Sequence, residues 1–187
     1  MLEYIPGTVI KFDEEAQKSA YNVIKPYFSF TNGITLAQVR ELTGLEKSTI
    51  QNWVKRGWVA SPINKGYRER QIFRIILINS IRRSMQIERV ITLMAYINGS
   101  VEDASDDTIS DGRLFDEFCR AVFLCDKAST YDSSQIREII DEQVSQISDI
   151  DEIGKNKLKK TLQIMVLAFI AAQIQDKTDE EFDNLFA

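Results

Sequence analysis

Six polar residues, Lys47, Ser48, Gln51, Asn52, Lys55 and Arg56, stand close together in the chain and suit one kind of chemistry, the reading of duplex DNA. Gln51 and Asn52 each carry an acceptor and a donor on one amide, as an adenine edge in the major groove requires. Lys47 and Ser48 fall at the start of the same expected helix, where recognition residues reach bases, and Lys55 and Arg56 flank its end. Further on, Lys65, Tyr67, Arg68 and Arg70 offer cations and a phenol that can clamp backbone phosphates. Taken singly, each is an ordinary solvated side chain. Together and in this order they point to DNA.

Other chemistries find little support. The chain has no histidine, so the commonest general base and metal ligand is missing. Walker, GxGxxG, HExxH and GxSxG patterns are absent from the sequence. Glu102-Asp103 and Asp106-Asp107 are adjacent carboxylates, but they lie in a small, acidic stretch that reads as a solvated loop. Residues 149–152, DIDE, lack the glycine and ligand spacing of a calcium loop. Cys119 and Cys125 are the only cysteines, and six helical steps put them roughly 120° apart, so buried free thiols are expected rather than a zinc pair. No cofactor or metal is expected, and the chain reads as a non-enzyme.

The elements that must position the polar set are well punctuated. Thr35 and Gln38 have capping-box spacing, with Ile34 and Val39 as a hydrophobic staple. Leu36, Val39 and Leu42 repeat at helical spacing and Gly44 can end the helix, which predicts a first helix from Thr35 to Thr43. Leu45 pins the turn. Ile50, Trp53 and Val54 then give a second helix its core face, and Gly57 closes it. Trp58 and Val59 are apolar, and Asn64-Lys65-Gly66-Tyr67 offers a turn in which Gly66 is expected at positive φ or at the tip. A short two-stranded wing fits this pattern, with Trp53, Trp58 and Tyr67 as packing anchors.

This stretch resembles the MerR-type winged helix-turn-helix, in which two helices are followed by a Gly-apolar-apolar step and a wing ending in Gly-Tyr-Arg; here these are Gly57-Trp58-Val59 and Gly66-Tyr67-Arg68. Together with RIILINSIRRSMQIERVITLMAYING, it also resembles an uncharacterised bacterial family, a domain of unknown function grouped with MerR-like regulators. The resemblance implies a winged DNA-binding fold and no particular target. It covers about 65 residues, and two departures stand out. Glu46 occupies the place of a small capping residue, where it caps weakly and repels phosphate. Gln51 and Asn52 replace the family's usual arginine and tyrosine.

Charge divides the chain in the same way. Residues 32–99 hold eleven Lys/Arg against four Asp/Glu, a balance of +7, whereas residues 100–187 hold nine against twenty, a balance of −11. A basic module joined to an acidic one is expected where only one half meets phosphates. Three parts follow: residues 1–30 as an N-terminal arm and helix, 31–99 as the winged module, and 100–187 as a C-terminal helical bundle, separated by the linker-like residues 99–112. A helix is expected from Asp13 to about Pro26, a central core helix over 71–83 and an amphipathic one from Ile87 to Asn98. The bundle should hold helices over 111–127, 133–148 and 155–176, and a short capped helix over 178–186. The longest oily run, Ile164 to Ala172, is far below the roughly 20 residues a membrane span needs, and the N-terminus lacks a signal-peptide pattern. A soluble, cytoplasmic, mainly α protein is expected.

The leading functional reading is a sequence-specific DNA-binding transcriptional regulator whose helical body dimerises or senses an effector of unknown chemistry. A homodimer is expected because one small module binds weakly and because the helix over 155–176 is apolar on much of its surface. The first rival is a protein-interaction adaptor that keeps the winged fold without binding DNA. An enzyme using the acidic bundle is the second.

Overall fold

The computed structural model describes residues 2–29, 33–103 and 105–186, and the chain is mainly α. The expected boundary at residues 30–31 falls outside the described residues. Its centre is α6 (Glu69–Ile81), in which Ile72, Phe73, Ile75, Ile76, Leu77, Ile78 and Ile81 are all fully buried. Apolar residues on every side leave no stripe for water, so neighbours must cover the whole circumference. These are α4 (Leu36–Thr43), α7 (Ile87–Asn98), α8 (Asp111–Lys127) and α10 (Glu152–Asn184), with α9 (Ser133–Ser145) packed on α8 and α10. Phe73 meets Tyr21, Phe28 and Phe115 at ring-centroid distances of 5.1, 5.8 and 5.2 Å. Each buried Ile or Leu here contributes about 1.5–3 kcal/mol. A single hydrophobic cluster runs through residues on both sides of the 99–112 segment.

The chain before α4 differs from one continuous helix. It forms α1 (Glu14–Lys18), α2 (Ala20–Ile24) and α3 (Pro26–Ser29). Asp13 caps α1 as expected, accepting from Ala16 N at 2.9 Å. The break comes at Ser19, which is extended at φ −164°, because its hydroxyl accepts from Asn22 N to cap α2 and also donates to Asp116 on α8. Residues 2–12 fold back on themselves, Ile5 N donating to Ile10 O and Phe12 N to Glu3 O. Val9 N then bonds Leu42 O at 3.1 Å, while the Asn79 amide donates to Gly7 O and Thr43 O, so the arm is stitched to α4 and α6.

No β-strand forms among the described residues, and the expected two-stranded wing is reduced to isolated bridges. The hydrogen bonds explain this. Tyr67 exchanges both its backbone bonds with Ile34, at 2.8 and 2.9 Å, whereas Trp58 N and Val59 N both turn back to Trp53 O. Only the Ile63–Gly66 rung remains. The next hydrogen-bonded rung would join Ser61 and Arg68, but the Gln71 amide takes both, accepting from Arg68 N and donating to Ser61 O.

The acidic 99–112 segment is tied down rather than loose. Arg70 donates to Ser100 O at 3.1 Å and Asp103 O at 2.8 Å, and pairs with Asp107 at 3.0 Å. Beneath it, Arg74 and Asp111 form a buried pair at 3.6 Å, and Asn98 donates to the same Asp111 oxygen at 2.9 Å. Helix α10 is a further difference. It runs unbroken through Thr178, whose hydroxyl donates to Ile174 O inside the helix instead of capping a new one. Local capping-box spacing loses to continued helix propagation.

Two predictions follow from the buried charges. Asp111→Ala leaves the Arg74 guanidinium without its counter-ion and should cost about 3–5 kcal/mol in urea unfolding, well above an exposed carboxylate control. Burial, with Asp111 and Asp106 nearby, pushes the Asp107 carboxyl up from 3.8 to about 6 against the opposing pull of Arg70. A raised carboxyl stabilises the fold most below its unfolded value, and that contribution is lost as pH rises through about 6. Asp107→Asn, which cannot ionise, should therefore gain on the wild type by of order 1 kcal/mol between about pH 4 and pH 7. Thermal unfolding of both proteins across that range would show it, and a constant difference would contradict it.

Candidate nucleic-acid interface

The α4 helix begins at the expected capping box: Thr35 N donates to Gln38 Oε1 at 2.9 Å and Gln38 N to Thr35 Oγ1 at 3.3 Å. It ends at Gly44, which is left-handed at φ +69°. Leu45 is buried between this helix and α5 (Lys47–Lys55). Glu46 precedes α5 without making a side-chain cap, and its carboxylate lies 3.7 Å from Arg40. Ile50 and Trp53 anchor α5 in the core. Gly57, at φ +71°, turns the chain after Arg56.

With Ile50 and Trp53 inward, Lys47, Ser48, Gln51, Asn52, Lys55 and Arg56 are all exposed. Positions 47, 51 and 55 form one stripe at i, i+4 spacing, and 48, 52 and 56 form the next, about 100° around the helix. The structure therefore brings these six expected residues onto one face. Aromatic rings support its cations: the Arg56 guanidinium lies 4.9 Å from the Trp58 ring centroid and that of Arg82 lies 5.8 Å from Trp53. Arg82 Nε also donates to Asn79 Oδ1 at 2.9 Å. Between them runs a shallow groove floored by Trp53 and Trp58 and edged by Thr49, Asn52, Arg56 and Arg82. Arg82 lies outside the polar set that the sequence groups as a candidate site. It lies far from Trp53 in sequence, and only the fold brings the two together.

After α5 the turn falls where expected. Gly66 lies at the turn, but the left-handed pair is Asn64 at φ 51° and Lys65 at φ 66°. With Ile63 and Gly66 exchanging two 2.9 Å bonds, this is a two-residue hairpin turn that needs positive φ at both central positions. Asn tolerates that conformation, and the Lys65 side chain is left exposed. Arg68 is exposed too, its backbone N–H held by Gln71 Oε1 at 2.8 Å, while Gln71 Nε2 donates to Ser61 O.

Two of the expected phosphate ligands are placed otherwise. Tyr67 is only 4% exposed, and burial pushes its phenol above the ordinary value, so it is an anchor in the core. Arg70 turns toward the 99–107 segment and is held there by two carbonyls and Asp107, because the acidic loop competes for it at close range. The same acidic half takes Arg74 through Asp111 and Arg83 through Asp176. Among the described residues, Lys47, Lys55, Arg56, Lys65 and Arg68 make no ion pair.

Among the described residues no cluster of three or more Cys, Asp or Glu could hold a metal ion. Cys119 and Cys125 are buried and unpaired, and burial pushes both thiols up, Cys125 to about 11. Among the described residues no helix is long and apolar enough to cross a membrane.

The uncharacterized protein YkrK of Bacillus subtilis (strain 168) is 23% identical over 184 residues, which cover 91% of this chain and 76% of that protein. No solved structure matches. The profile of a domain of unknown function, DUF1836, matches residues 20–118. That span takes in more than half of the chain, from α2 through the α5 face and into α8, and the chain belongs to the DUF1836 family.

Proposed function

We propose that this protein is a sequence-specific transcriptional regulator that binds double-stranded DNA, with residues 34–70 acting as a MerR-like winged helix-turn-helix and α5 as its recognition helix. The observation that carries this reading is the sorting of charge. The acidic half engages Arg70, Arg74 and Arg83 behind α5, while Lys47, Lys55 and Arg56 stay exposed beside the amides of Gln51 and Asn52. In this reading Gln51 and Asn52 touch base edges and Lys47 and Ser48 enter the groove at the helix start. Lys55, Arg56, Lys65 and Arg68 grip phosphates on either side. The hairpin tip at Asn64-Lys65 serves as a minimal wing. Arg82, poised on Trp53, adds a further cation. The protein works as a homodimer on a two-fold site, since a single module of this size holds few contacts.

A second reading, a protein-interaction adaptor, draws on two features of the same surface. Glu46 places a carboxylate at the start of α5, and Ile63 is 46% exposed at the hairpin tip, where a phosphate grip would call for polar residues. The two readings part on salt. For a DNA-binding dimer contacting about 6–10 phosphates, log affinity falls against log salt with a slope of roughly −0.9 per contact. A titration with duplex DNA that is flat in salt would favour the adaptor.

Base reading and backbone grip separate by mutation. Gln51→Ala or Asn52→Ala should cost about 1–3 kcal/mol on a selected duplex and little on a scrambled one. Lys65→Ala and Arg68→Ala should weaken both duplexes alike and make the salt slope shallower by about one unit per lost contact. Fluorescence titrations of the four variants decide. Equal losses on both duplexes for Gln51→Ala and Asn52→Ala would show that α5 does not read bases.

A further inference from the structure

We infer that the cleft between the end of α8 and the second half of α10 binds a small amphipathic monocarboxylate, an apolar body bearing one carboxylate. The cleft encloses about 420 Å³, within the range of small-ligand sites. Val122 and Cys125 of α8, Phe169 and Ile170 of α10 and Leu2 of the N-terminal arm line it. Its apolar walls thus come from three separate stretches of chain, and they suit the body of the ligand and not its charge.

The charges at the rim select the head group. Residues 100–187 hold nine Lys/Arg against twenty Asp/Glu, so a cation there has carboxylates in excess to pair with. Arg113, Lys155 and Lys159 do pair, with Asp149, Glu152 and Asp141. Lys127 and Lys177, one on each helix of the cleft, make no ion pair among the described residues. The rim carboxylate, Asp126, is engaged by the arm and accepts from Leu2 N at 3.3 Å. Two cations against one carboxylate leave the rim at +1, with the Tyr131 phenol and the Gln173 amide as neutral donors beside them. That balance matches a single negative charge. A polyanion would be left with charge unmatched and facing Asp126.

The lip is built rather than loose. Helix α8 ends in three backbone bonds, from Ala128 N to Leu124 O, Ser129 N to Asp126 O and Thr130 N to Cys125 O. They hold Ser129 left-handed at φ 51°, a conformation that glycine adopts at less cost after a helix end. A serine there puts a hydroxyl on the cleft where glycine would put none. Thr130 is buried just beyond it and donates to Gln135, while Tyr131 is 64% exposed on the rim. Because the lip is already fixed, a ligand need not order it.

The test uses the full chain and no DNA, so its outcome is separate from the nucleic-acid reading. In titration calorimetry octanoate should bind one-to-one with a dissociation constant below about 1 mM. Hexanoate, shorter by two methylenes, should bind about tenfold more weakly, and so should octanol, which keeps the body and loses the charge. Lys127→Gln and Lys177→Gln should each weaken octanoate about threefold, the scale of an exposed charge pair, and leave octanol unchanged. Lys127→Glu combined with Lys177→Glu should reverse the preference, so that octylammonium binds better than octanoate. Both lysines are exposed, so this reversal is read on a folded protein with unchanged far-ultraviolet dichroism. Ile170→Trp, which fills the cleft, should abolish binding of either ion. Octanoate that fails to bind, binds without saturating, binds no better than octanol or ignores the lysine changes would overturn the site.

Discussion

Helix α6 has no face to give to water, and it carries an arginine in its middle. Arg74 is 3% exposed, so its charge must be matched inside the protein. Asp111, the first residue of α8, supplies the match, and Asn98, the last of α7, fixes the carboxylate from the other side. That single requirement sets where α7 ends and α8 begins. It also draws the intervening acidic segment across α6, where Arg70 holds it by two carbonyls and Asp107. Arg74 Nε and Nη2 find no partner among the described residues, so the pair is better understood as specifying the arrangement than as adding net stability.

The same arrangement sorts the cations. Residues 32–99 are strongly basic, yet three of their arginines are consumed by the acidic half at the back and end of α6. The α5 face and the Asn64-Lys65 tip remain outward. An acidic body therefore does not blanket the basic module; it neutralises the side on which the two pack and leaves the other side positive. Trp53 and Trp58 have a double part in this, since one anchors α5 and both carry a guanidinium over an aromatic face.

Much of the α4–α5 region was legible because its signals are local. The Thr35–Gln38 box, the Gly44 cap and the inward Ile50 and Trp53 each depend on neighbours a few residues away. Several misreadings involve a distant partner. Ser19 breaks the first helix for Asp116, Tyr67 spends its backbone groups on Ile34 rather than on a wing strand, and Arg70 finds its acceptors in a loop that reads as a free linker. Gly66 is a different case: two adjacent left-handed residues are an expensive backbone choice, and the two-residue turn puts them at Asn64 and Lys65. Thr178 misled most. Its capping-box spacing with Glu181 suggests a helix break, whereas its hydroxyl donates back to Ile174 O within one continuous α10.

The candidate interface is tied to the bundle over one short stretch of backbone. Arg82 reaches Trp53 of α5, and the next residue, Arg83, pairs with Asp176 of α10. Ser84 then donates to Ala168 O, also on α10. Three consecutive side chains after α6 thus hold α5 on one side and α10 on the other. The α5 face and the longest helix of the bundle are coupled through the end of the central helix rather than through a loop.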